Sequence, residues 1–271
     1  MASAEQKAAA HTLVSEFRSR DSRAWSAIDR TRFADGVDAR IDDPSKISSA
    51  GSSLCGPAAV SFNLASADPA AYAKFAIALY ESGRGQIKST TYKASSSLRG
   101  KALPAGNAEA DWVVLGSLRD DDNWVFTYDG QDSVLNVGEA AAITLPHSMS
   151  KWFGNCGYTD LRNETNLVTN KDWDNLRAAN KLLAAGYKVS LFVNADVLYT
   201  SKQDSSGVIP DHWIGLQTKL VSSTNVHDPL AKVSGQIFSW GQVRELSQDP
   251  EKKVSVKQFL AHYYGYVAGK P

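Results

Sequence analysis

Over the first third of the chain, apolar residues recur at helical spacing. Leu13, Val14, Phe17, Trp25, Ile28 and Phe33 punctuate polar residues between positions 5 and 33, which predicts one or two helices. Residues 34–53 are polar and end in DDPSKISSAGSS, the composition of a loop. The pattern turns helical again at Gly56. GPAAVSFNLASA predicts a short helix with Pro57 in its first turn, where a missing N–H costs nothing. DPAAYAKFAIALYESGRG predicts a second one. Asp68 is its N-cap, Pro69 its first residue and Gly83 its stop. Tyr72, Phe75, Ala76, Leu79 and Tyr80 then fall on one face, a buried stripe.

The middle of the chain is less decisive. ADWVVLGSLRDDDNWVFTYDG fits a helix or a strand up to Leu118, followed by a polar turn and a short apolar segment. ITLPHSMSKWFGNCGYTDL, rich in Gly and aromatics, reads as loop with helical fragments. TNKDWDNLRAANKLLAAGY predicts an amphipathic helix ending at Gly186, with Leu176, Ala179, Leu182 and Leu183 inward. From there the reading is β-rich. KVSLFVNADVLY predicts a strand from Lys188 to about Asn194. DHWIGLQTKLV and GQIFSWGQVREL predict two more, joined by SSTNVHDPLAKVS. HYYGY, His262 to Tyr266, reads as core packing. Helices first and an antiparallel sheet later predict an α+β fold.

Composition narrows the function classes. A chain of 271 residues, 43% hydrophobic, can bury a sizeable core in one large domain or two small ones. Lys and Arg balance Asp and Glu, 29 against 29, so no basic surplus supports a nucleic-acid partner. Two cysteines do not make a disulfide framework. The start, MASAEQKAAAHTLVSEFRSR, lacks the basic and apolar regions of a signal peptide, and no apolar run has the length of a membrane span. The expectation is a protein without a membrane span, cytoplasmic or secreted without a cleavable signal peptide. No cofactor is implied. RDDDNW, Arg119 to Trp124, reads as a solvated turn, since its spacing matches no calcium loop. Zinc-ligand spacing is absent, as are a phosphate loop and Gly-x-Gly-x-x-Gly. No metal site is expected.

SSLCGPAAV places Cys55 at the start of a predicted helix. The thiolate is the reactive form of cysteine, and the N–H groups and partial positive charge of a helix N-terminus favour it. Gly56 lets a substrate carbonyl approach the backbone, whose N–H groups can hold an oxyanion. Such a nucleophile needs a base. Of five histidines, His212 in PDHWIGLQ opens a predicted strand, with Trp213 beside it as a shield against water. The second cysteine, Cys156 in FGNCGYTD, reads as a loop thiol.

LCGPAA and DHWIGL together resemble the two signatures of papain-like cysteine peptidases, above all the bacteriocin-processing type, in their order along the chain. FSWGQ, Phe238 to Gln242, is similar to the Asn-Ser-Trp-Gly stretch of papain, and brings in Trp240 as a candidate substrate-positioning residue. The resemblance implies a single domain over 1–271 of two lobes, helices carrying the Cys packed on an antiparallel sheet carrying the His. Residues 1–50 would be a helical extension and loop, and 86–170 an insertion or lid. It implies a thiolate–imidazolium pair and a cysteine-nucleophile hydrolase or acyl transferase acting on amide bonds of a protein or peptide substrate: a thiol peptidase, amidase or glutamine deamidase. A secreted bacterial effector or toxin fits by analogy. The other expectation is a catalytically inactive scaffold acting as a binding protein.

The chain departs from that family twice. Where family members carry a Gln before the Cys, KISSAGSSLC has only serines, so Ser49, Ser52 or Ser53 is the candidate side-chain donor to the oxyanion. The residue that orients His212 is open. Asp228, followed by Pro229, matches the bacteriocin-processing pattern. If the two flanking strands form a hairpin, however, Asp228 sits at its tip and Ser239 returns beside His212. Asn194 and Asp196 are further candidates.

Overall fold

The computed structural model describes residues 2–49, 53–122, 144–199, 209–247 and 253–271. They form an α+β protein with antiparallel sheets, divided into two compact units. The first comprises residues 1–138 together with 240–242, and the second 139–239 with 243–271.

The first unit is mainly helical. Ser3 and Gln6 form a capping box at the start of α1 (Ala4–Arg18), and Asp29 caps α2 (Arg30–Asp42). α3 (Cys55–Ala67) is buried on all sides from Cys55 to Ala65, as its mostly small and apolar run requires, with the polar Ser61 and Asn63 buried among them. α4 (Pro69–Ser82) has Asp68 as N-cap and stops at Gly83, whose φ of 70° suits glycine. The predicted stripe from Tyr72 to Tyr80 is buried. Tyr80 joins Phe17 and Phe33 in an aromatic cluster linking α1, α2 and α4. β1 (Arg84–Ile87) and β2 (Thr90–Lys93) form an antiparallel hairpin, followed by α5 (Ser96–Arg99).

α6 (Glu109–Asp122) decides the ambiguous middle stretch. Ala110 to Arg119 are buried without a break, a run too long for a strand, and the helix packs on α2, α3 and α4. The carboxylates of RDDDNW are not a solvated turn. Asp120 accepts from Ser95 N at 2.5 Å and Asp121 from Lys93 N at 3.0 Å, tying the end of α6 to β2 and α5. Asn123, Trp124 and the apolar segment after them lie outside the described residues.

The second unit is built on a six-stranded sheet. α7 (Pro146–Asn155) and β3 (Thr159–Asn163) occupy the stretch read as loop with helical fragments. α8 (Trp173–Ala184) follows, leading through Gly186 (φ 87°) into β4 (Lys188–Val193). β5 (His212–Leu216), the short pair β6 (Val221–Ser222) and β7 (Val233–Ser234), and the hairpin of β8 (Gln236–Ser239) and β9 (Gln242–Glu245) come next. α9 (Val256–Ala261) and β10 (Tyr263–Lys270) complete the unit. Strand order is β3-β10-β4-β5-β8-β9. HYYGY is therefore more than packing: it opens a strand that lies between β3 and β4. Its seven residues from Tyr263 to Gly269 are all buried, so the alternation that marks a half-exposed strand is missing. Among the described residues no helix is long and apolar enough to cross a membrane.

Candidate functional site

In the first unit, α3 begins at Cys55 itself. Its N-cap is Leu54, which offers no side-chain cap, and Pro57 carries no N–H. The positive end of the helix thus falls on Cys55 and Gly56, both buried. Neither Cys55 nor Cys156 is in a disulfide. Ser49 is buried, and the Ser53 hydroxyl oxygen is shut from solvent with no hydrogen-bond partner among the described residues. A buried hydroxyl without a partner is costly, and two residues before Cys55 it is a donor in waiting. Ser52 lies outside the described residues.

The loop leading to Cys55 is held from below. Arg40 on α2 and Asp111 on α6 face each other in a bidentate pair, one bond being Arg40 Nε to Asp111 Oδ1 at 2.6 Å and the other from Nη2 to Oδ2. Their side chains are only 7% and 2% exposed. Asp111 Oδ2 also accepts from Ser48 N at 3.1 Å, and Arg40 Nη1 donates to Gly36 O at 2.8 Å. Burial works against both charges. It pushes the Asp111 carboxyl up against the pull of Arg40, while Asp111 holds the Arg40 guanidinium above its ordinary value. Arg40 stays protonated at any pH the fold survives, and a carboxylate facing both its N–H groups is the form this geometry serves.

In the second unit, His212 opens β5 and is 6% exposed. Register explains its partner. Gly215 pairs with Phe238 and Leu216 with Ile237, so Ile214 and Ser239 share the face on which His212 lies. His212 Nε2 meets Ser239 Oγ at 2.8 Å, and Ser239 is 2% exposed. With the proton assigned to Nε2 and the hydroxyl oxygen accepting, Nδ1 carries the lone pair of a base. Burial, with Arg244 of β9 adding its charge, pushes the imidazole down to about 3. These surroundings hold His212 neutral at rest, in contrast to the imidazolium that the resemblance implies.

Two other candidate partners, Asp228 and Asn194, are engaged elsewhere. Asp228 lies between β6 and β7, where its carboxylate accepts from Thr224 Oγ1 at 3.0 Å and from Leu230 N at 2.8 Å. It organises its own turn and is not brought to His212. Asn194 donates to Ile209 O at 2.7 Å and accepts from Asp196 N at 3.0 Å, shaping the bend after β4. Trp213 does not shield His212. Neighbours on a strand point to opposite faces, and Trp213 stacks on Phe192 at 4.5 Å and donates to Thr144 O at 2.8 Å.

Trp240 and Gly241 form the two-residue tip of the β8–β9 hairpin, with φ of 48° and 78°. Positive φ at both positions is the pattern of a type I′ turn. Gly241 accepts it readily, whereas a tryptophan there bears roughly 1–2 kcal/mol of strain. Residues 240–242 group with the first unit while the rest of the hairpin belongs to the second. A Cβ added at Gly241 would lie 3.0 Å from Ser48 Cβ and 3.2 Å from its Oγ.

Sequence reasoning missed the Arg40–Asp111 pair and Arg244; no local signal links two residues so far apart in the chain. Among the described residues no cluster of His, Cys, Asp or Glu can hold a metal. No protein-family model and no curated protein matches the chain.

Proposed function

We propose that the protein is a cysteine-nucleophile hydrolase or acyl transferase acting on amide bonds of a protein or peptide substrate, on a papain-like plan. The observation that carries this is the buried His212 Nε2–Ser239 Oγ contact of 2.8 Å, which orients the imidazole as a base through Nδ1. Cys55 at the uncapped start of α3 supports the other half. In this reading Cys55 Sγ attacks the carbonyl carbon as its proton passes to His212 Nδ1. The tetrahedral oxyanion takes bonds from backbone N–H near Gly56 and from the Ser53 hydroxyl. The C–N bond then breaks, His212 returns the proton to the leaving amine, and water or another acceptor resolves the thioester. Because His212 is neutral at rest, the proton moves with the attack rather than before it.

A second reading is favoured by the same residues. A hydroxyl stabilises an imidazolium less than a carboxylate does, and a base held near pKa 3 is weak. That suits a scaffold that binds without catalysing.

The test is iodoacetamide alkylation of Cys55 against pH, in a Cys156→Ser background, with and without His212→Ala. The catalytic reading expects fast alkylation below the ordinary thiol range of about 8.5 that disappears with His212→Ala. Matching profiles for the two proteins would overturn it and leave the binding scaffold. His212→Cys in the same background adds a geometric check, since a disulfide with Cys55 forms only if the Cα atoms come within about 7 Å.

A further inference from the structure

We propose that a cleft in the second unit, edged by Lys219 and Lys253, binds a small organic anion: a carboxylate or phosphate ester with an apolar body. Neither Cys55 nor His212 lines it, and it does not rest on the proposed function. The cleft holds about 600 Å³ and is lined by residues of the second unit alone. Small-molecule sites occupy roughly 300–1,000 Å³.

The backbone fixes its walls. Where β7 runs into β8, Gly235 (φ 147°) approaches the segment before β6. A Cβ there would stand 2.5 Å from Lys219 O and 2.8 Å from Leu220 Cδ2, so only glycine lets the two segments meet. Thr218 N donates to Gln236 O at 3.2 Å, Leu246 N to Gly235 O at 2.9 Å and Val233 N to Val254 O at 2.8 Å. The stretches carrying Lys219, Ser234, Glu245 and Lys253 are thus tied to one another before any ligand arrives. A preformed cleft loses little ordering entropy on binding.

The polar groups left over set the chemistry. Glu245 is the one acidic residue of the lining, and its Oε2 already accepts from Gly235 N at 3.3 Å. Thr218 Oγ1 accepts from Gln236 N at 2.8 Å, which leaves its O–H to donate. Lys219 and Lys253 are exposed and make no ion pair among the described residues. An ammonium group can only donate, so the group between them must accept and carry negative charge. Val221 and Val233 form the apolar side, and Val221 is 50% exposed. A ligand with an anionic head and an apolar body serves both.

Amide NMR of the full chain tests this. Benzoate and phenyl phosphate, each at millimolar concentration, should shift the amide signals of Val221, Ser234 and Gly235. Lys219→Gln and Lys253→Gln should each weaken binding about fivefold, the upper range for an exposed charge pair. Both side chains are exposed, so these variants keep the fold. Glu245→Gln keeps an oxygen for Gly235 N but removes the opposing charge, so it should tighten binding by a similar factor. Added salt should loosen it. The tighter of the two probes assigns the head group as carboxylate or phosphate. The proposal is overturned if neither probe moves those signals, or if neutral benzyl alcohol binds as tightly. Inorganic phosphate binding as tightly as phenyl phosphate overturns it too, as does unchanged affinity in the Lys219→Gln/Lys253→Gln double variant. None of these readouts involves Cys55 or His212, so a failure here leaves the proposed function standing.

Discussion

Asp111→Asn removes one charge from the most deeply buried ion pair described in the first unit. The carboxylate receives two bonds from Arg40 and one from Ser48 N, with almost no solvent contact. An asparagine keeps one oxygen acceptor, turns its amide toward a guanidinium that can only donate, and strands the Arg40 charge. Breaking a buried pair from one side costs about 3–5 kcal/mol, against a total stability of roughly 5–15 kcal/mol. A loss of that size lowers the melting temperature by on the order of 10 °C. Urea unfolding followed by tryptophan fluorescence suits the measurement, because Trp112 is the next residue on α6 and is buried. Adding Arg40→Met removes the stranded charge while the asparagine oxygen still serves Ser48 N, so the double variant should recover about half of the loss. A loss under about 1 kcal/mol for Asp111→Asn, or a double variant no more stable than the single one, would refute the pair's structural role.

The three remaining predictions concern pH and the orienting residue. His212 is held near 3 in the fold against about 6.5 unfolded, so its contribution is present above pH 6.5 and is lost as pH falls from there toward 3; urea midpoints of wild type should drop across that window with a slope of up to about 1.36 kcal/mol per pH unit that His212→Gln abolishes. His11 has the opposite sign, because its ring nitrogens face Asp38 at 2.7 Å and Asp42 at 2.9 Å and its pKa is raised, Asp38 first. Its contribution is present below pH 6.5 and lost as pH rises through the folded value, and it is worth only tenths of a kcal/mol because the side chain is 35% exposed; a proton NMR titration should place it above 6.5 and move it down more in Asp38→Asn than in Asp42→Asn. Finally, Ser239→Ala should lower the His212-dependent alkylation rate of Cys55 at least tenfold, while Asp228→Ala leaves it unchanged and only loosens its own turn; the reverse ranking would reinstate Asp228.

Local features were legible. Asp68, Pro69 and Gly83 delimit α4 in sequence as they do in space, because capping chemistry acts within a turn or two. Ser239 was reachable as well, since a hairpin sum over β5 and β8 returns it beside His212, though the motif match to Asp228 weighs equally in the sequence and leaves the choice open. What stayed hidden depends on partners distant in the chain. The burial of both faces of β10 follows from where β3 and β4 place it, and erases the period-2 signal. Trp213 looked like a neighbour of His212 because sequence adjacency was read as spatial adjacency, which a strand's pleat reverses.

The position of β10 also bears on how the sheet is made. Strands β5, β8 and β9 each emerge from synthesis after a neighbour they pair with, β5 on β4, β8 on β5 and β9 on β8, yet β4 must wait for β10 on its other side. Until Tyr263 to Lys270 arrive, the run Val189 to Val193 offers an apolar open edge to any passing strand. A chain lacking β10 thus exposes an aggregation-prone edge, whereas the folded chain covers that edge with a strand of seven buried residues.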